Sequence, residues 1–232
     1  MKTSVILGLG LLFALASHAQ TTNLAATDTN QSAPVMSTPA ASPDDLKKMY
    51  DTAVENRTVD ILKKLNLSDD TKSNQVHDIL VAQYHALHDR DLTINAQLKS
   101  EGKEANYANR ATLLMAQPKS LHDDFVTKLG GVLTPDQVEK VKDLMTYNKV
   151  SFTYSAYTEI LPDLTDADKA KIMDLLRAAR EEAIDGGNAP EKTAIFQKYK
   201  DEINVYLSAQ GHDVAQATKD WQAKHPATAA SK

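Results

Sequence analysis

Three histidines are the first residues whose type and spacing suggest chemistry. On a regular helix His77, His85 and His88 fall within about 80° of one another, and imidazole is the commonest metal ligand in proteins. His85 and His88 are close enough to share an ion and are the weak metal candidates. His77 lies about 12 Å further along the axis. One helix therefore cannot bring all three to a zinc ion, whose imidazole ligands sit at ~2.0–2.1 Å, unless His122 or Asp89 joins the site. The chain carries no His-Glu-x-x-His, no paired Cys-x-x-Cys and no EF-hand loop. The sequence thus calls for no cofactor, and the histidines read as polar-face residues.

Covalent hydrolysis finds equally little support. There is no cysteine and no Gly-x-Ser-x-Gly, and Ser151 and Ser155 have no identifiable activating base. Glycoside chemistry needs two carboxylates ~5–9 Å apart on a cleft. Glu159, Asp163, Glu181, Glu182 and Asp185 could supply such a pair, yet every helical surface carries acids. A glycan-active hydrolase or lyase is the least supported class.

The aromatic stretch from Tyr147 to Tyr157 is a better candidate. Tyr147, Phe152, Tyr154 and Tyr157 lie in what reads as a connection, where rings are less easily explained as core. Tyrosine gives rigid contact area at modest entropic cost, and a sugar presents C–H groups to a ring face and hydroxyls to neighbouring polar groups. Tyr147, Asn148, Tyr154 and Tyr157 are therefore the expected ligand-binding residues. Arg180, whose fork can grip adjacent hydroxyls or a carboxylate, is the expected anchor. The site would form where this connection meets the helix end at Ala179–Asp185. Tyr199, Tyr206 and Trp221 read as core-edge residues.

These side chains must be positioned by helices. Ser42-Pro43-Asp44-Asp45 is a start signal, followed by an apolar face from Leu46 through Leu65. Ser68-Asp69-Asp70 opens a second helix, long enough to run through Leu92 and Leu98, with a break at Glu101-Gly102-Lys103. Asn106–Ala116 and the stretch around Leu121–Leu129 follow, the latter stopped by Gly130-Gly131. Thr134-Pro135 starts the helix of Val138, Val141, Leu144 and Met145, and Thr165 restarts the pattern for Ile172, Leu175, Leu176 and Ala179. Asp185-Gly186-Gly187-Asn188-Ala189-Pro190 is a stop, and Glu191 opens a helix that Gly211 ends before a last short one at Val214–Trp221. The predicted fold is all-α, a single multi-helix bundle-like domain over residues 42–224.

Outside that domain, Lys2, the apolar run Val5–Ala16 and Ser17-His18-Ala19 read as a signal peptide cleaved after Ala19. The run is too short for a retained span of ~20 residues, so no stable membrane insertion is expected after cleavage. Residues 20–41, rich in Thr, Ala, Ser and Pro, read as a disordered linker, and 225–232 as a flexible tail. The expected location is the periplasm or beyond. Without Lys2 the chain has 25 basic against 31 acidic side chains, which argues against nucleic acid as a partner.

The phrases LTPDQVEKVKDLMTY, LPDLTDADK, AREEAID and KYKDEINVYLSAQGHD, with the closing Trp221, resemble an uncharacterised family of exported bacterial proteins of the Bacteroidetes type. The resemblance covers about residues 45 to 223. It implies a tentative sugar-binding role and supplies no catalytic residues. Leu133, Thr134 and Gln137 also resemble the Leu-Thr-x-x-Gln motif of small periplasmic chaperones. The function expected is therefore non-catalytic binding of carbohydrate or of a protein partner in carbohydrate processing, with a chaperone or scaffold for polypeptide as the alternative.

Overall fold

The helix starts are written in short-range hydrogen bonds. Ser42 accepts from the Asp45 backbone N–H while the Asp45 carboxylate accepts from Ser42 N–H, a reciprocal box that opens α1, Pro43–Leu65. Asn66, left-handed at φ 53°, closes it. Asp69 caps the long α2, Asp70–Ser100. After α3 (Tyr107–Met115) and α4 (Ser120–Gly130), the boxes of Thr134 with Gln137 and Thr165 with Asp168 open α5 (Pro135–Met145) and α7 (Asp166–Ile184). Between these two lies α6, Lys149–Ile160. Asn188 and Asp213 cap α8 (Ala189–Ala209) and α9 (Val214–Lys224). The computed structural model describes residues 42–115 and 120–225. The expected signal peptide, the linker, the tail beyond 225 and the end of the third helix at Ala116 lie outside the described residues.

The architecture is all-α, a multi-helix bundle with no strand among the described residues. Two apolar clusters hold it together. The first joins α1, α2, α4 and α5 through Ile61, Leu65, Val76, Leu80, Phe125, Leu129, Val141 and Met145. The second joins α6, α7 and α8 through Val150, Tyr157, Ile172, Leu176, Ala179, Ile195, Ile203 and Leu207. Helix α7 is common to both halves, because Ile184 at its end belongs to the first cluster while Ile172 to Ala183 belong to the second. Burying a Leu, Ile or Phe is worth ~1.5–3 kcal/mol, so the stripes predicted from sequence carry the packing. No described helix is long and apolar enough to cross a membrane.

The Tyr147–Tyr157 stretch departs from expectation. It is a helix, not a connection, and only Tyr147 and Asn148 precede it. Both have left-handed backbone, φ 60° and 53°, which costs a non-glycine residue ~1–3 kcal/mol each. With Thr146 they form the turn between α5 and α6, in which Asn148 N–H donates to Asp143 O at 2.8 Å.

Candidate functional site

The structure distributes the residues expected to form one site over three places. Tyr147 and Asn148 line a small cleft of about 200 Å³ with Arg57, Asp60, Ile61, Lys64 and Leu144; Tyr154, Tyr157 and Arg180 do not. Tyr157 is buried, its hydroxyl donating to Asn204 Oδ1 at 2.8 Å, and Tyr154 packs against the same apolar cluster. Burial pushes the Tyr157 phenol well above its ordinary value. These two rings are packing residues of the α6–α8 contact. Phe152, by contrast, points outward at 71% exposure.

Arg180 is also committed elsewhere. It is buried and donates to Asp143 Oδ1 at 2.7 Å, to Glu181 Oε1 at 3.0 Å and to Glu139. Burial alone would lower its pKa, but the hydrogen bonds to Asp143 and Glu139 hold it raised. Lys142 joins two of these acids, Glu139 and, at 2.8 Å, Glu181, and His122 Nδ1 lies 3.0 Å from Asp185 Oδ2. That hydrogen bond raises the His122 pKa above 6.5 against the opposing effect of burial. Arg180 is a clamp between α5 and α7.

His85 and His88 do not face a shared ion. They pack on Tyr50, His88 stacked on its ring at 4.1 Å and His85 edge-on at 5.6 Å. No group of three or more His, Asp or Glu stands in ligand geometry among the described residues.

Sequence reading missed the ion network at the α7–α8 turn. Arg90 donates to the Asp185 carbonyl at 2.6 Å, Arg110 pairs with Asp91 at 2.9 Å and Glu191 at 3.3 Å, and Glu191 accepts from Gly187 N–H at 2.9 Å. Lys192 is buried and donates to Ala183 O at 2.7 Å, satisfying a helix-terminal carbonyl. Burial, reinforced by the charge of Arg57, lowers its pKa to about 7. Its members tie α2, α3 and α8 to the end of α7, so it reads as a structural lock.

An open groove lies on the opposite half, between the α6–α7 loop and α9. It measures about 690 Å³ and is lined by Glu159, Leu161, Asp163, His212, Asp213, Gln216, Asp220 and Trp221, among others. Trp221, expected at a core edge, lines it, and His225, also in the lining, stacks on the indole at 4.5 Å. His212 Nε2 stands 3.5 Å from Asp168 Oδ2, and Tyr206 OH donates to Asp168 Oδ1 at 3.0 Å. The Thr165 hydroxyl holds the Asp168 carboxyl below its ordinary pKa. The capping box of α7 thus fixes one side of the groove through Asp168 and His212. The sequence signal that could have located it is the pairing of the only tryptophan with the acids of the Leu161–Asp168 loop, which no periodicity argument connects.

Comparison with known proteins fits this picture of a helical domain without an assigned activity. No match was found among curated proteins. Residues 51–227 match the model of a family described as a protein of unknown function, DUF3826, and the chain belongs to that DUF3826 family.

Proposed function

We propose that this chain is an exported, non-catalytic protein that binds neutral carbohydrate in the groove at Trp221. The observation that carries the reading is an indole set in an open groove of about 690 Å³ among Glu159, Asp163, Asp213 and Asp220. A sugar ring lays its C–H face on an aromatic surface, and its hydroxyls donate to carboxylates. The acids outnumber the one lysine of the lining, Lys224, so a neutral sugar is favoured there over a uronate. Export rests on the charged start, the short apolar run and the Ser17-His18-Ala19 junction.

The alternative of polypeptide binding has less to rest on. A holdase needs a contiguous apolar patch of several hundred Å², whereas the large exposed apolar side chains Leu46, Met49, Val59, Leu92, Phe152 and Val205 are spread over four helices. The Leu-Thr-x-x-Gln segment is itself accounted for by a capping box: Gln137 N–H donates to Thr134 Oγ1 at 3.3 Å, and Thr134 N–H to Gln137 Oε1 at 3.0 Å.

Calorimetry with a panel of neutral oligosaccharides tests the reading on wild type and Trp221→Ala. Truncating a hot-spot ring costs ≥2 kcal/mol, roughly thirtyfold in affinity, and chromatography of the bound sugar shows it unchanged. Equal binding by both proteins, or none by wild type, overturns the proposal.

A further inference from the structure

Arg57 differs from the other half-buried and buried arginines. Arg90, Arg110 and Arg180 each pair with a carboxylate. Among the described residues Arg57 forms no ion pair. Its Nη2 donates to the carbonyls of Leu144 and Met145 at 3.2 and 3.3 Å, and its Nε to the Tyr84 hydroxyl at 3.1 Å. Its guanidinium carbon lies 4.0 Å over the Tyr147 ring. These contacts seat the group on the last carbonyls of α5, whose dipole offsets part of its charge, and no carboxylate among the described residues neutralises the rest. The charge borders the cleft of about 200 Å³ that Lys64, Asp60, Tyr147 and Asn148 also line. Lys64, too, forms no ion pair among the described residues, and it is exposed.

We propose that this cleft, between the C-terminal half of α1 and the α5–α6 turn, binds a small hydroxylated monocarboxylate. Arg57 and Lys64 sit two helical turns apart on one face of α1, with Asp60 between them, so the lining carries one net positive charge. A single carboxylate neutralises that charge, whereas a phosphate dianion would leave the cleft with a net negative charge beside Asp60. Asp60 accepts from ligand hydroxyls, and the Asn148 amide, which makes no helix-capping bond, can donate and accept. Tyr147, backed by Arg57 on one face and 40% exposed, offers its ring to the ligand body. The left-handed pair Tyr147–Asn148 places these two side chains beside the cations, and strained backbone of this kind gathers at ligand clamps. The site is separate from the groove at Trp221 and does not depend on the reading given to that groove.

Calorimetry with sodium glucuronate, glucose and inorganic phosphate tests it on the intact chain. Wild type binds one equivalent of glucuronate, and binds glucose and phosphate at least tenfold more weakly. Lys64→Glu, on an exposed position, lowers glucuronate affinity by at least tenfold with an unchanged melting temperature. Asn148→Gly keeps the left-handed backbone, removes the amide and weakens binding severalfold, while Trp221→Ala leaves it unaltered. No glucuronate binding by wild type, equal binding by Lys64→Glu, or tighter binding of phosphate would overturn the proposal. Loss of glucuronate binding in Trp221→Ala alone would move the ligand to the groove and overturn it equally.

Discussion

The Asp91 carboxylate occupies the space that a side chain at position 187 would need: a Cβ built on Gly187 would overlap Asp91 Oδ2. Asp91 Oδ1 meanwhile pairs with Arg90 at 3.0 Å and Arg110 at 2.9 Å. The glycine is required by close approach, since its backbone is not left-handed. It lets the α7–α8 turn sit directly on the ion network that ties α2, α3 and α8 together.

Gly187→Ala is accordingly expected to destabilise by about 1–3 kcal/mol through overpacking. For a domain of this size each kcal/mol lowers the melting temperature by ~2–4 °C. Gly130→Ala, where a Cβ meets nothing within 4 Å, should be neutral or slightly stabilising. Thermal melts of the two variants side by side check the claim, and equal melting temperatures would refute it.

Removing Arg180 leaves Glu139 and Glu181 with Lys142, and takes from Asp143 its ion-pair partner. Arg180→Met should cost about 3 kcal/mol, the low end for breaking a buried pair, because the acids are one-third to one-half exposed. Denaturant melts measure it. Sugar binding to folded Arg180→Met should match wild type, in contrast to the ligand role expected from sequence.

Two groups, the half-buried His122 and the buried Lys192, give the stability pH signatures of opposite sign. His122 has a folded pKa raised above 6.5 by Asp185, so its contribution is full below pH 6.5 and is lost as pH rises through the folded value. His122→Asn should therefore cost more at pH 5.5 than at pH 8.5. Lys192 has a folded pKa lowered from 10.5 to about 7, so the unfolded chain binds the extra proton between those values. Wild-type stability should gain on Lys192→Met as pH rises from 7 towards 10, by at most about 1.4 kcal/mol per pH unit. Urea melts across this range test both signs.

The capping boxes make a local prediction. Thr134→Ala and Thr165→Ala should each cost ~1 kcal/mol. Thr165→Ala should also weaken neutral-sugar binding, because the Thr165 hydroxyl holds Asp168 at 2.6 Å and Asp168 in turn faces His212. Calorimetry separates the two effects, since Thr134 lies away from the groove lining.

What the sequence made legible follows from range. Ser42-Pro43, Thr134-Pro135 and Thr165 announce themselves because a cap bonds a donor three residues away. Helix α6 reads as a connection in the sequence because it begins on two left-handed residues with no side-chain cap. Its helicity is secured by Val150 and Tyr157 docking into the second core, which local pattern does not encode. The pairing of Arg90 with the Asp185 carbonyl spans 95 positions and that of Arg110 with Glu191 spans 81. Such charges look like ordinary solvated residues until the bundle closes. The same reason dispersed the expected tyrosine site: Tyr147, on the left-handed turn before α6, lines the cleft, whereas Tyr154 and Tyr157 turn into the second core.

Trp221 is the only tryptophan in the chain, so its emission reports on the groove alone. Titrating wild-type protein with neutral oligosaccharides while recording tryptophan fluorescence tests the central claim most directly. Groove binding predicts a saturable change in emission whose midpoint matches the calorimetric affinity and which is insensitive to Lys64→Glu. Calorimetrically detectable binding of neutral sugar with unchanged Trp221 emission would contradict it.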